Sequence, residues 1–320
     1  MPHQVADALM QGKPPAWVSD DPIDKRAFVL TLCGPSSLGL HSLEAQLQVA
    51  RQLIESSGYS IVLDRCISTG VAYDLEFNSP SMAAWQIFKS LNSQLSDLDI
   101  AVQPLNQRIR KLLVCDMDKT IVDAETLDDV AQAVGIGKQV AAITDQAMRG
   151  EIDFGTSLKQ RVELLKGQPE QAFTDMANAC RINPGAEQLL QKARQARVYT
   201  VLISGGFDTI ARTIAQRLGF DEVHSNRLEI QNGILTGGVL APIVDASSKR
   251  ELLLSIAAKL SIDPVECCAI GDGANDIPMI MQAGLGIAYQ GKPATREATP
   301  YQINHTSLTT ALFFMGLQSE

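Results

Sequence analysis

KLLVCDMDKTIVD, residues 111 to 123, runs four apolar side chains into Asp116, Asp118 and Asp123, with Lys119 among them. A carboxylate is costly to bury unless it is paired or bound to a cation. A strand that empties into acids is therefore either an ordinary polar exit or a site built on negative charge, and DMD alone leaves both open. Two later runs have the same form. RVYTVLISGG (197–206) ends in Ser-Gly-Gly and VECCAIGDG (265–273) in Gly-Asp-Gly, while the helix-like EQLLQKARQ and KRELLLSIAAKL lie between them. Near-continuous apolar strands alternating with helices indicate a parallel sheet covered on both faces, where sites gather at the carboxyl ends of strands. The expected fold class is α/β, a Rossmann-like parallel sheet with helices on both faces, its three polar strand ends meeting on one edge.

About 75 residues separate the first two of these strands, far more than one crossover helix needs. TLDDVAQAVG, QVAAITDQAMRG, GTSLKQRVELLKG and PEQAFTDMANAC are all helix-like, which predicts a helical insertion over about 124–181 that caps the strand ends. NRLEIQNGILTGG (226–238) predicts a hairpin turning at Asn232-Gly233. Before residue 104 the order is strand (27–34), helix (40–58), two strands, helix (81–97) and a further strand near Ile100 and Val102, the layout of a small ferredoxin-like α+β domain. The expected division is a proline-bearing lead-in over 1–26, an α+β domain over 27–103 and the larger α/β domain over 104–320, with PLNQRIRK (104–111) at the boundary. The carboxylates of the small domain form no readable cluster, so packing, regulation or oligomerisation is expected there rather than catalysis.

The 320 residues are 45% apolar, enough for two cores, and 27 basic against 36 acidic residues give a formal charge of -9. That balance argues against a general nucleic-acid or acidic-membrane surface. Six scattered cysteines without a CxxC pair fit free thiols in a reducing compartment. With no basic-then-apolar leader and no long apolar run, the expected location is the cytoplasm, with no membrane partner.

Asp116 and Asp118, two apart, address one strand-end site. A fixed carboxylate can attack a phosphoryl group and form an aspartyl-phosphate, while a second acid protonates the departing alcohol and later deprotonates water. Such acids repel a phosphate unless a cation compensates, and magnesium is hard and oxygen-seeking. GDGAND (271–276) offers Asp272 and Asp276 as further carboxylates. ISGG (203–206) suits phosphate binding by Ser204 and nearby amides, though Ser-Gly turns are commonplace. Lys249 offers a charge that compensates phosphate, but a lone lysine just before an apolar helix is more often a solvated cap. The ordered set carries the inference, not any one member.

DMDKT (116–120), SGG (204–206), Lys249 and GDGANDIPMI (271–280) resemble the four motifs of the haloacid dehalogenase superfamily in its phosphatase branch. TLDD after the first motif, AMRGEIDFGTSLKQRVELLKG (147–167), SGGF and VDASSK resemble the phosphoserine phosphatases within that branch, and the resemblance covers nearly all of 111–300. It implies that Asp116 is the nucleophile and a metal ligand, and that Asp118 is the general acid/base and a ligand through its backbone carbonyl. Asp272 is implied as a metal ligand with Asp276 beside it, around one Mg2+ per site. Ser204, Gly205 and Lys249 match phosphate-binding positions, Asn275 one that orients the phosphate, and Thr120 one that ties down the first loop. Glu125 matches the receiver of the substrate ammonium and Arg161 the holder of its carboxylate, for which a rigid donor fork is suited. Phe154 matches a cap aromatic closing over both.

The implied reaction is magnesium-dependent hydrolysis of O-phospho-L-serine to L-serine and phosphate, the final step of serine biosynthesis, in a chain that forms a homodimer through or near its N-terminal domain. Lys119 stands where the resemblance leads one to expect a small serine, so an added cation is expected to alter phosphate affinity or the neighbouring acids. A phosphatase for another phosphorylated amine, such as phosphohomoserine, is the enzymatic alternative. An amino-acid sensor with a degenerate phosphatase module is a second, and retention of Asp116, Asp118, Ser204, Lys249 and Asp272 argues against it.

Overall fold

A computed structural model of the chain describes residues 14–19, 21 and 24–317. Most of the expected lead-in lies outside the described residues. The first unit comprises β1 (Lys25–Cys33), α1 (Leu40–Ser56), β2 (Ile61–Ser68), β3 (Ala72–Pro80), α2 (Ser81–Gln94) and β4 (Asp99–Pro104). Its strands lie in the order β2-β3-β1-β4, each pair antiparallel. In α1, Leu43, Leu47, Ala50 and Ile54 recur every three or four residues and are buried, one apolar stripe that packs on the sheet. Phe28, Leu30 and Leu32 meet that stripe and α2 in one core, whereas Cys33, Ala72 and Ala101 belong to the core of the second unit. Central β1 is therefore buried on both faces from Phe28 to Cys33 and reads as a near-continuous apolar run for that reason.

The second unit holds β5 (Leu112–Cys115), α3 (Thr126–Ala133), α4 (Gly137–Met148), α5 (Phe154–Glu163), α6 (Gln171–Ala179), α7 (Ala186–Gln195), β6 (Tyr199–Phe207), α8 (Asp208–Leu218), β7 (Glu222–Gln231) and β8 (Ile234–Leu240). It continues through α9 (Ala246–Lys259), β9 (Cys267–Gly271), α10 (Ile277–Gln282), β10 (Leu285–Tyr289), α11 (Pro293–Glu297), β11 (Tyr301–Ile303) and α12 (Thr309–Phe314). Seven strands lie in the order β11-β10-β9-β5-β6-β7-β8, parallel throughout except for the β7–β8 hairpin. The expected α/β class is what the chain adopts. Central β5 sends Leu113 and Cys115 into the core on one face and Leu112 and Val114 into the core on the other. Its neighbours β6 and β9 are the two other apolar runs, so the three polar endings do meet on one edge.

Helices α3 to α6 form the insertion between β5 and the return to the sheet. The hairpin turns at Asn232 (φ 52°) and Gly233 (φ 76°), two left-handed residues, as an Asn-Gly turn requires. Its tip does something the sequence did not announce. Gly167 N–H donates to Leu235 O and Glu170 N–H to Gly233 O, both at 2.9 Å, which fastens the α5–α6 link of the insertion to the hairpin.

The segment 104–111 is polar in sequence, yet the fold buries both of its arginines, Arg108 and Arg110 being only 4% and 3% exposed, while Asn106, Ile109 and Lys111 between and beyond them face solvent. Arg108 donates to both oxygens of Asp74 at 2.7 and 2.8 Å, to Thr31 Oγ1 at 3.1 Å and to Phe313 O at 2.7 Å. It thereby joins the first sheet to α12. Arg110 donates to Gln103 Oε1 at 2.7 Å, and Gln103 in turn to Phe314 O at 2.8 Å. Asp99 accepts from the backbone N–H groups of Asn304 and Thr306 at 2.8 and 2.9 Å. Asp74 and Asp99 thus act in packing: each anchors a different part of the seam between the two sheets, a role that no sequence pattern marked. Removing one partner of a buried bidentate pair strands the other charge, so Asp74→Ala is expected to cost about 3 to 5 kcal/mol of unfolding free energy. Urea denaturation checks this, and an unchanged midpoint contradicts it.

Candidate active site

β5 delivers Asp116 directly, because the Asp116 N–H continues the sheet pairing by donating to Ile270 O at 2.9 Å. The chain then coils tightly, with Ile121 and Val122 N–H both donating to Met117 O at 2.9 and 3.0 Å. Lys119 sits in this coil at φ 56°, a conformation uncommon outside glycine. Its ammonium pairs at 3.0 Å with Asp123, and both side chains are largely in solvent. The charges that act most on Asp116 and Asp118 come from Asp276, Lys249 and Glu125. Of the three acids in the opening stretch, then, two belong to the site and Asp123 is an exposed partner for Lys119. Asn183 donates to Thr120 O at 2.8 Å and so ties the loop through its backbone. The Thr120 hydroxyl, expected to do that tying, is buried without a hydrogen-bond partner among the described residues.

Lys249 enters from the first turn of α9 and is 1% exposed, not a solvated helix residue. Its ammonium donates to Asp116 Oδ1 and, at 2.6 Å, to Asp276 Oδ1. The other oxygen of Asp276 accepts from the backbone N–H of Asp272 (3.2 Å) and Gly273 (3.0 Å), which draws the GDGAND loop toward β5. Burial, reinforced by the Asp276 charge and opposed by Lys249, holds Asp116 well above the ordinary carboxylate range. Burial opposes the charge on Lys249 too, yet Asp116 and Asp276 together keep it above the ordinary lysine range. Burial and Asp276 push Asp272 up to about 6. Asp118 is also pushed up to about 6 by burial, against the 3.0 Å hydrogen bond that its Oδ1 accepts from Thr126 N–H.

Asp116, Asp272 and Asp276 bring carboxylate oxygens within 4.8 Å of one another, all three residues buried. An all-oxygen set with surplus negative charge fits a hard divalent cation such as magnesium. β6 ends in the phosphate-type loop. Ser204 is fully buried and its Oγ accepts from Gly206 N–H at 2.8 Å, leaving the hydroxyl proton free to donate. A β-carbon on Gly206 would lie 3.1 Å from both Asp118 Oδ2 and Ser204 Oγ, so a side chain there would crowd both groups and make them give by a few tenths of an ångström. Gly205 O accepts from Asn226 Nδ2 at 2.9 Å, and Asn226 also bonds both the N–H (2.8 Å) and the C=O (3.2 Å) of Val244. Asn226 thus pins the loop to the chain entering α9. Nothing in the sequence marked it beyond a place in the hairpin.

The insertion covers this edge. The Phe154 ring stands 3.4 Å from where a β-carbon on Gly205 would be, directly over the loop. Arg161 lies two turns further along α5, half-buried, its Nε donating to Ser157 O at 3.4 Å, with Asp128 and Glu125 as the charges that favour its cationic form against burial. Glu125 precedes α3 with its carboxylate about half exposed, 3.7 Å from Lys292 Nζ. Asn275 is exposed beside the cluster, its Nδ2 3.4 Å from Asp276 Oδ1. Asp116, Asp118, Ser204, Lys249, Asp272 and Asp276 therefore converge on one sheet edge, with Asn183, Asn226 and Lys292 bonded to or paired with the same loops, three residues that sequence patterns did not single out.

Residues 113–281 match the family model for haloacid dehalogenase-like hydrolases. The chain belongs to that family. Phosphoserine phosphatase SerB2 of Mycobacterium tuberculosis is 42% identical over 222 residues, 69% of this chain and 54% of that protein. The chain thus spans about half of that relative's length. A phosphoserine phosphatase of Albidiferax ferrireducens is 42% identical over 215 residues, 65% of this chain and 91% of that protein. Among solved structures, the HAD family hydrolase t0658 of Salmonella enterica serovar Typhi has a TM-score of 0.79 at 29% identity, covering 90% of this chain and 98% of that one. A probable phosphoserine phosphatase from Vibrio cholerae has a TM-score of 0.72 at 26% identity, covering 97% and 93%.

In this hydrolase the pinning by Asn226 has a measurable consequence. Asn226→Ala leaves Gly205 O and the Val244 peptide without their partners, at an expected cost of about 1 to 3 kcal/mol. The loosened Ser204 loop is expected to lower kcat/KM for every phosphomonoester alike. Steady-state kinetics on two unlike substrates checks this, and wild-type kinetics in a folded variant contradicts it.

Proposed function

We propose that this hydrolase converts O-phospho-L-serine to L-serine and phosphate through an aspartyl-phosphate on Asp116, as the last step of serine biosynthesis. The observation that carries the reading is the pairing of one cluster with one cap: Asp116, Asp118 and Ser204 lie at strand ends where Lys249 reaches them from α9, and Glu125 and Arg161 offer opposite charges on the insertion. The phosphoserine phosphatase names of relatives at 42% identity support the same substrate.

In this reading Ser204 and Lys249 hold the phosphoryl oxygens while Glu125 receives the substrate ammonium and Arg161 its carboxylate. An Asp116 oxygen attacks phosphorus as the ester P–O bond breaks, and Asp118, raised by burial toward neutrality, gives its proton to the departing serine oxygen. Asp118 then removes a proton from water, which displaces phosphate from Asp116. Asp116 and Asp272, with Asp276 beside them, would hold Mg2+, which neutralises charge on the phosphoryl oxygens. Phe154 excludes water, so binding energy from the serine moiety positions the ester for attack.

The reading extends to the rest of the chain. Catalysis is assigned to 104–320 and a supporting or regulatory role to 27–103, joined by the Arg108–Asp74 seam. A second copy is proposed to dock on the open edge strand β2, where Val62 and Leu63 are exposed, and sedimentation equilibrium of the intact chain tests it. The cytoplasm is the proposed setting, since all six thiols are free; no helix among the described residues is long and apolar enough to cross a membrane.

Arg161→Ala tests the substrate. It is expected to lower kcat/KM for phosphoserine ten- to a thousandfold, the order that follows from losing about 1.4 to 4 kcal/mol of charge-assisted binding. An aryl phosphate has no carboxylate to hold and is expected to lose much less. Equal losses on the two substrates, or full turnover by metal-free enzyme, would contradict the reading.

A further inference from the structure

Lys292 lies outside the motif residues, yet its backbone is fixed to the metal-type loop. Its N–H donates to Asp272 O at 2.9 Å, and it starts α11, where its own carbonyl accepts from Thr295 and Arg296 N–H at 2.9 and 3.0 Å. Only the side chain is free to swing, and it is 57% exposed. Its ammonium stands 3.7 Å from Glu125 Oε1 and 3.9 Å from Asp272 Oδ2, ion-pair distances too long for direct hydrogen bonds. Lys249 is already committed to Asp116 and Asp276. Among the described residues, Lys292 is the one basic side chain within ion-pair distance of Glu125.

We propose that Lys292 is a resident counter-ion that competes with the substrate's ammonium for Glu125, and so sets how strongly the site selects phosphorylated amines. The inference rests on the reading of Glu125 as the ammonium receiver. In the free enzyme Lys292 compensates the Glu125 carboxylate, and an entering ammonium takes over that charge as the lysine swings into solvent. The pair is exposed, so the exchange is shallow. Exposed ion pairs in water contribute about 0.2 to 1 kcal/mol, which limits the competition to about a fivefold effect. Selectivity is thereby tempered and product serine, which carries the same ammonium, is more readily displaced.

Lys292→Gln removes the charge and keeps the length and the backbone donor to Asp272. At saturating magnesium, its KM for phosphoserine is expected to fall about two- to fivefold relative to any change on an aryl phosphate, a ratio that shrinks toward one as salt rises. In a Glu125→Gln background the same substitution is expected to leave that ratio unmoved, which a merely structural role of Lys292 does not predict. A higher KM for phosphoserine, equal changes on both substrates, or an effect that survives Glu125→Gln overturns the proposal. Wild-type enzyme that cleaves the aryl phosphate but not phosphoserine defeats the substrate reading itself, a result visible before any variant is made.

Discussion

One buried ammonium makes the rest of the site tenable. The ends of β5 and β9 bring Asp116, Asp272 and Asp276 within 4.8 Å of one another, and charges this close and this dry repel strongly. Lys249 bonds Asp116 and Asp276 from a position almost closed to solvent. Asp276 spends its second oxygen on the Asp272 and Gly273 amides, so the same carboxylate that satisfies the lysine also sets the path of the loop. Compensation is incomplete. Asp118 and Asp272 both sit near 6, pushed up by burial above all, which leaves the surplus of negative charge that a divalent cation would relieve.

The parallel sheet supplies this convergence and the insertion supplies its cover. β5, β6 and β9 are adjacent, so residues far apart in the chain end on one edge without any loop having to reach across. The β7–β8 hairpin clasps 167–170, the link between α5 and α6 of the insertion, while Phe154 at the start of α5 rests over Gly205. On the proposed reading, a substrate entering between the two meets the acids and the Ser204 loop below and Glu125 and Arg161 above, and the division separates chemistry on the sheet edge from recognition on the insertion.

What was legible in the sequence was whatever a local pattern encodes. Unbroken apolar runs marked β5, β6 and β9, Asn232-Gly233 marked the hairpin, and small or acidic residues at strand ends marked the site. Long-range polar burial left no such trace. Arg108 and Arg110 look like any charged linker, because their partners Asp74, Phe313 and Gln103 lie on other elements and no periodicity connects them. Asn226 and Lys292 were missed for the same reason: each acts on a loop distant in sequence. Lys119 drew notice by its charge beside the motif acids, and the feature no pattern announced is its left-handed backbone, which sets its ammonium beside Asp123.

If Asp116 is the nucleophile, phosphate must pass through it. Wild-type enzyme mixed with phosphoserine and magnesium, quenched in acid within the first turnover and mapped by peptide mass spectrometry, reads this directly. The expected product is a phosphorylated peptide containing residues 111–123 with the added mass on Asp116, lost on treatment with hydroxylamine as an acyl phosphate would be. Phosphate trapped on any other residue, or turnover with no trapped species under conditions that trap a known acyl-phosphate enzyme, would contradict it.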